Sequence, residues 1–196
     1  MHDVEALLRE AHRRFDALNA EDPRTIDVDG TPRPRELVRA NWLERALFEI
    51  EPEPSLPLRI ASRSQHLARF RVPRSEYPPG REAYLQWRRD LAKMHHELTD
   101  AILEELGFSD EVREAVRKIQ LKIAIKRNPD VQTMEDALCL AFLRHEFVPF
   151  IEDYDDEKVI GILQKTWPKM SPRGHEHALR LPFSGRAREL IQRALA

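Results

Sequence analysis

One cysteine in 196 residues excludes an intrachain disulfide, so packing and polar contacts must hold this chain together. Cys139 lies in the apolar run 138–143 and reads as a buried thiol in a reducing compartment. Glycine is scarce, with six residues, and none builds the glycine-rich loop that cradles phosphates; HExxH, CxxC and GxSxG patterns are missing too. No stretch approaches the roughly 20 apolar residues of a membrane span. The residues from Met1 to Glu5 lack the basic-then-apolar layout of a secretory signal, and a cytoplasmic location is the expectation. An excess of one charge is also lacking. With 32 basic and 34 acidic side chains the net charge is −2, which disfavours binding to nucleic acid through a global basic field. A run of alternating apolar and polar residues, the mark of a half-buried strand, is not found.

Proline is plentiful, 14 residues, and it punctuates a sequence that is otherwise helical in period. Leu7, Leu8, Ala11, Phe15 and Leu18 define one helix face that ends at 19–23. The segment 25–34, with Gly30 and two prolines, has turn chemistry, and Pro34 is expected to open a second helix to about residue 50. A third helix is expected over 56–70, and the longest over 80–106, closed by Gly107. The next carries Val112, Val116, Ile119 and Ile123 and is expected to reach Asn128-Pro129. Thr133 and Asp136 resemble a capping box that starts an apolar helix to about Ile151. Shorter helices follow at 155–167, after Ser171-Pro172 and from Ser184. The length suits one domain, 1–196, and the fold class is all-α.

Polar residues on apolar helical stretches are the candidate site. His95 precedes Leu98 by three positions and Ile102 by seven, on the core-facing stripe of the longest helix. His66 lies at the edge of a packed face, and Asp136 in the first turn of the apolar helix. Each residue has a bland reading, as a packed imidazole or a helix-start carboxylate; together they form a candidate inter-helix metal or acid/base site. Glu36, 30 positions before His66, could supply an oxygen ligand, and Glu97 and Glu135 are the neighbouring candidates for general base. Two basic sets are candidates for holding an anion. Arg63 and Arg69 flank His66, while Lys165, Lys169, Arg173 and His175 cluster around the helix start at Ser171-Pro172, where free N–H groups attract negative charge.

A His, a second His on a following helix and an Asp about 70 residues after the first resemble the HD-domain superfamily. That resemblance implies a helical bundle of about eight or nine helices with His and Asp ligands around one or two divalent metals. In that superfamily the first His of the core pair is followed by Asp, where this chain has Leu67, and an upstream His stands where this chain offers Glu36. The segments 19–23, 29–38, 65–70, 84–91, 131–147 and 165–179, among them QHLARF, YLQWRRDL and VQTMEDALCLAFLRHEF, are similar over nearly the full length to an uncharacterised bacterial and fungal domain-of-unknown-function family, numbered 4202. That resemblance implies no activity.

Two functions follow as expectations. The first is a metal-dependent hydrolase of a small phosphorylated or otherwise anionic metabolite, with one divalent transition metal (Mn, Fe, Ni or Zn) on His66, His95, Asp136 and Glu36; an iron oxygenase on the same scaffold is its redox variant. The second is a metal-free HD-like module that binds an anionic ligand or a protein. A second copy of the chain is the remaining expected partner.

Overall fold

The structure, a computed structural model, describes residues 3–196, and the chain forms an all-α fold with one small hairpin. It divides into two compact units: the first runs up to Glu44 and includes Pro54–Ile123, and the second is Arg45–Glu53 with Ala124–Ala196.

In the first unit, Asp3 accepts the Glu5 N–H and starts α1 (Val4–Asn19), whose buried face is Leu8, Ala11, Phe15 and Asn19. The segment expected as turn only is a β-hairpin, β1 (Thr25–Val28) paired antiparallel with β2 (Thr31–Pro34). Asp29 and Gly30 both take positive φ, +52° and +77°, as a two-residue turn matched to strand twist requires, and Asp27 accepts the Gly30 N–H. With Pro32 and Pro34 in four residues, β2 has no apolar alternation to betray it.

The helix α2 (Arg35–Ile50) begins directly after the hairpin. Ser55 caps α3 (Leu56–Ser64), which ends six residues before the expected stop, so His66 sits in a turn and not on a helix. The cause is distant in sequence. Ala68 adopts a left-handed φ of +52° and gives its N–H to the buried Asn19 Oδ1 at 3.0 Å. After two short 3-10 turns at Arg69–Arg71 and Arg74–Glu76, α4 (Arg81–Glu105) carries Leu91, His95, Thr99 and Leu103 on its buried face. Gly107 ends it with the paired backbone bonds of a Schellman motif. Ser109 caps α5 (Asp110–Gln120), which is also shorter than expected. Lys122, at φ +55°, closes it with the same motif through Lys122 N to Ile119 O and Ile123 N to Lys118 O. The core of this unit joins Leu8, Phe15, Ile60, Leu67, Leu103 and Val116.

In the second unit, Asn128 accepts the Asp130 and Val131 N–H groups and Pro129 takes the first position of α6 (Pro129–His145). This start is four residues before Thr133, so Asp136 lies two turns inside the helix and not at its beginning. The single helix expected to about Ile151 is two, because α7 (Phe147–Glu152) follows a break at Glu146. Pro149 explains the break, since it has no N–H for the His145 carbonyl and its ring collides with that group. Asp155 caps α8 (Asp156–Thr166), Ser171 caps α9 (Pro172–Leu179), and α10 spans Gly185–Leu195. Leu143, Phe147, Val159, Leu163, Met170 and Leu190 lead its core. Among the described residues no helix is long and apolar enough to cross a membrane.

Removing the Asn19 amide strands the Ala68 N–H in a buried turn, a loss of about 1–3 kcal/mol. Asn19→Ala is therefore expected to lower the unfolding free energy measured in urea by that amount, whereas an unchanged value would mean that the turn is not held from α1.

Candidate functional site

His95 is 4% exposed, and its Nδ1 lies 2.7 Å from the Leu67 carbonyl oxygen. A carbonyl only accepts, so Nδ1 must carry the proton, and in a neutral ring Nε2 is then a bare lone pair. That Nε2 is buried and has no hydrogen-bond partner among the described residues. The His66 and His95 rings are neighbours, centroids 6.0 Å apart at 64°. Around the pair runs a buried polar network. Thr99 Oγ1 donates to the His95 carbonyl at 2.7 Å, and Gln120 Nε2 donates to Thr99 Oγ1 at 2.9 Å and to Ser64 Oγ and O at 3.1 Å. Gln65 Nε2 completes it on the Gln120 carbonyl at 3.2 Å.

The buried side-chain acceptors lacking a partner among the described residues are Glu36 Oε2, Gln65 Oε1, His95 Nε2 and Gln120 Oε1. All four belong to the first unit. Interiors normally satisfy such atoms, so each is a lone pair that a cation or a donor would suit. Glu36 is 1% exposed; its Oε1 accepts from Arg24 at 3.0 Å and Arg39 at 3.1 Å, which leaves Oε2 bare. Glu36, His66, Asn19, Arg39, Ser62 and Arg63 line a cavity of ≈ 10 Å³, the size of one water or one ion.

Both rings are held neutral. Burial pushes His66 well below the ordinary imidazole range, with Arg69, His95, Arg39 and Lys122 adding positive charge in the same direction. Burial brings His95 down to about 4, opposed in part by the Leu67 bond and reinforced by Arg69. Neutral imidazole is the form that ligates metals, while the surrounding cations favour an anion.

Arg63 is committed to Asn41, to Glu44 at 3.0 Å and to Asp16, so its charge is already matched. Arg69 stacks its guanidinium over Trp87, 5.1 Å from the ring centroid. Glu97 is exposed and faces Lys93 at 3.6 Å.

Asp136 belongs to the second unit, is 2% exposed and is fully occupied there. Its Oδ1 accepts the Ser171 N–H at 2.8 Å and Gln132 Nε2 at 3.1 Å, and its Oδ2 accepts Ser171 Oγ at 2.5 Å. The anion expected at the start of α9 is thus a carboxylate of the chain itself. Glu135, beside it on α6, is also buried. Lys165 and Lys169 are exposed, and Arg173 pairs with Glu51 at 3.0 Å. His175 stacks on Trp167 at 4.2 Å and 2° while its Nε2 donates to the Trp167 carbonyl at 2.8 Å. Of the four expected ligands, then, the structure brings His66 and His95 side by side and puts Glu36 on the cavity that His66 lines. Among the described residues no group of three or more His, Cys, Asp or Glu side chains is gathered as a metal-binding cluster.

Asn19, Gln65, Thr99 and Gln120 were not among the sequence candidates. Thr99 had a signal, because it follows His95 by four positions and shares its helix face. Gln120 ends the apolar stripe of Val116 and Ile119, where an amide looks like surface.

These features define an all-α protein with a buried polar centre built on two neutral histidines. The chain belongs to the family described as "Domain of unknown function (DUF4202)", whose model matches residues 9–191. No match was found among curated proteins or among solved structures.

Two outcomes follow from this geometry. The unfolded His95 ring takes a proton near 6.5 and the folded ring only near 4, so stability is fully present above pH 6.5, falls as the pH drops toward 4 and levels off below that. The loss ascribed to His95 is about 3 kcal/mol. Urea unfolding of the parent and of His95→Gln at pH 7 and pH 4 should show a smaller acid loss in the variant, and equal losses would contradict the buried neutral ring. At Gly174 a Cβ would stand 2.6 Å from Asp136 Oδ1, so Gly174→Ala should cost about 1–3 kcal/mol. A melting temperature unchanged by that substitution would mean that α9 does not press on Asp136.

Proposed function

We propose that the first unit carries a centre on His66, His95 and Glu36 that binds one divalent transition metal and hydrolyses a small phosphorylated metabolite, on an HD-like helical scaffold. The observation that carries this reading is the bare, buried His95 Nε2, oriented by the Nδ1 bond to the Leu67 carbonyl. Metal-ligating histidines are oriented in this way, with one ring nitrogen donating to a carbonyl and the other left for the ion. The donors this reading would use are the two neutral imidazoles, with ring centroids 6.0 Å apart, and the bare Glu36 Oε2, and they must draw closer to share an ion at N–metal bonds of about 2.0–2.1 Å. A two-nitrogen, one-oxygen donor set suits Mn, Fe, Ni or Zn, and the ≈ 10 Å³ cavity beside His66 must widen before a phosphate can reach it. Asp136 is left out of the set because Ser171 and Gln132 already use its oxygens.

When bound, a divalent ion supplies Lewis acidity that polarises a phosphoryl oxygen. The protein's own part is to hold His95 as the Nδ1–H tautomer through Leu67, and to draw a phosphate with the positive field of Arg39, Arg69 and Lys122. Glu97 and Glu135 have no role in this reading: the first is on the surface with Lys93, and the second belongs to the other unit.

A second reading, a metal-free module for an anionic metabolite, is favoured by the same cations, whose field on His66 opposes a metal ion. Metal content separates the two. Untagged protein is expected to hold about one transition-metal ion per chain, and His66→Ala and His95→Ala, if still helical by circular dichroism, should weaken retention about 10–100-fold. Metal-free parent protein that still binds inorganic pyrophosphate in calorimetry would replace the first reading with the second.

A further inference from the structure

The second unit contains an open groove of ≈ 390 Å³ walled by Leu143, Leu163, Trp167, Phe183, Ile191 and Leu195. Its volume is within the range of small-molecule sites. Leu179 at its edge is 62% exposed and Leu195 38%, so apolar surface stands uncovered at the mouth. The polar lining is sparse and of one sign. Among the described residues Arg188 and Gln192, one turn apart on α10, are the only long polar side chains that line it, and no carboxylate does. Arg188 also differs from its neighbours on that helix. Arg186 is paired with Asp156 at 2.8 Å, and Arg193 with Asp156 at 2.8 Å and Glu157 at 3.0 Å, whereas the Arg188 guanidinium has no partner among the described residues.

An apolar trough with one unpaired cation at its rim complements a molecule with an apolar body and one negative head. We infer that this groove binds an aliphatic monocarboxylate of medium length, its tail along Leu163, Trp167 and Ile191 and its head on Arg188. At about 30 Å³ per non-hydrogen atom the groove takes roughly ten to fifteen atoms, the size of dodecanoate. This site is independent of the histidine centre and holds whether or not that centre binds a metal.

The test is calorimetric titration of the full-length protein with dodecanoate below its micellar concentration. Binding at one per chain is expected, and decanoate, with two fewer buried methylenes, should be weaker by about an order of magnitude. Arg188→Gln should weaken dodecanoate about fivefold, the upper range for an ion pair at a wet rim. Ala194→Phe, placed in the groove lining, should abolish binding while circular dichroism stays helical. Absence of binding to the folded parent, equal affinity for dodecanol, or affinity unchanged in both variants would each overturn the inference. So would a dimer in sedimentation that Ala194→Phe dissociates and dodecanoate does not, since the groove would then belong to a second copy of the chain.

Discussion

The first unit is organised by one hydrogen bond, from His95 Nδ1 to the Leu67 carbonyl. Leu67 lies in a turn that follows α3 and that would otherwise present a buried, unpaired carbonyl, at a cost of about 1–3 kcal/mol. The bond spares that cost and at the same time selects the ring's tautomer. The turn reaches His95 because Asn19 takes the Ala68 N–H and holds Ala68 in a left-handed conformation that alanine avoids by about 1–2 kcal/mol. Thr99, Gln120, Ser64 and Gln65 fix the far side of the same turn. Protein contacts thus use one nitrogen of His95 and leave the other unused, which is an arrangement that packing alone does not explain.

The second unit treats a buried charge differently. Asp136 looks, by residue type and burial, as much like a ligand as His95 does, yet each of its oxygens is met by the start of α9. The helix terminus gains an anion, the carboxylate gains donors, and Gly174 gives them room to approach. What distinguishes a structural polar residue from a candidate ligand is therefore whether its lone pairs are used, and burial by itself does not decide it.

The sequence was legible where signals are local. Ser171-Pro172 marked α9, Gly107 marked the end of α4, and helical period put His95 on a buried face, as found. It was misleading where the deciding contact is remote. Nothing near His66 shows that Asn19, in another helix, stops α3 short, and nothing near Asp136 announces Ser171, 35 positions later. The break at Glu146 was readable from Pro149 and was outweighed by an apolar run that looked continuous. The hairpin was hidden by its prolines, although Asp29-Gly30 is a strong two-residue turn signal. Of the site, the two histidines and Glu36 were visible as residue types. The bond that makes one of them a bare acceptor goes to a backbone carbonyl, and the network around it is built from ordinary Thr and Gln side chains, which no motif singles out.

The most direct measurement is the protonation state of the His95 ring, read by ¹⁵N NMR of imidazole-labelled protein at pH 7. The expected result is a neutral ring protonated at Nδ1, with an unprotonated Nε2 whose resonance moves when Mn²⁺ or Zn²⁺ is added. A ring protonated at Nε2, or an imidazolium, would contradict the Leu67 bond and with it the proposed centre.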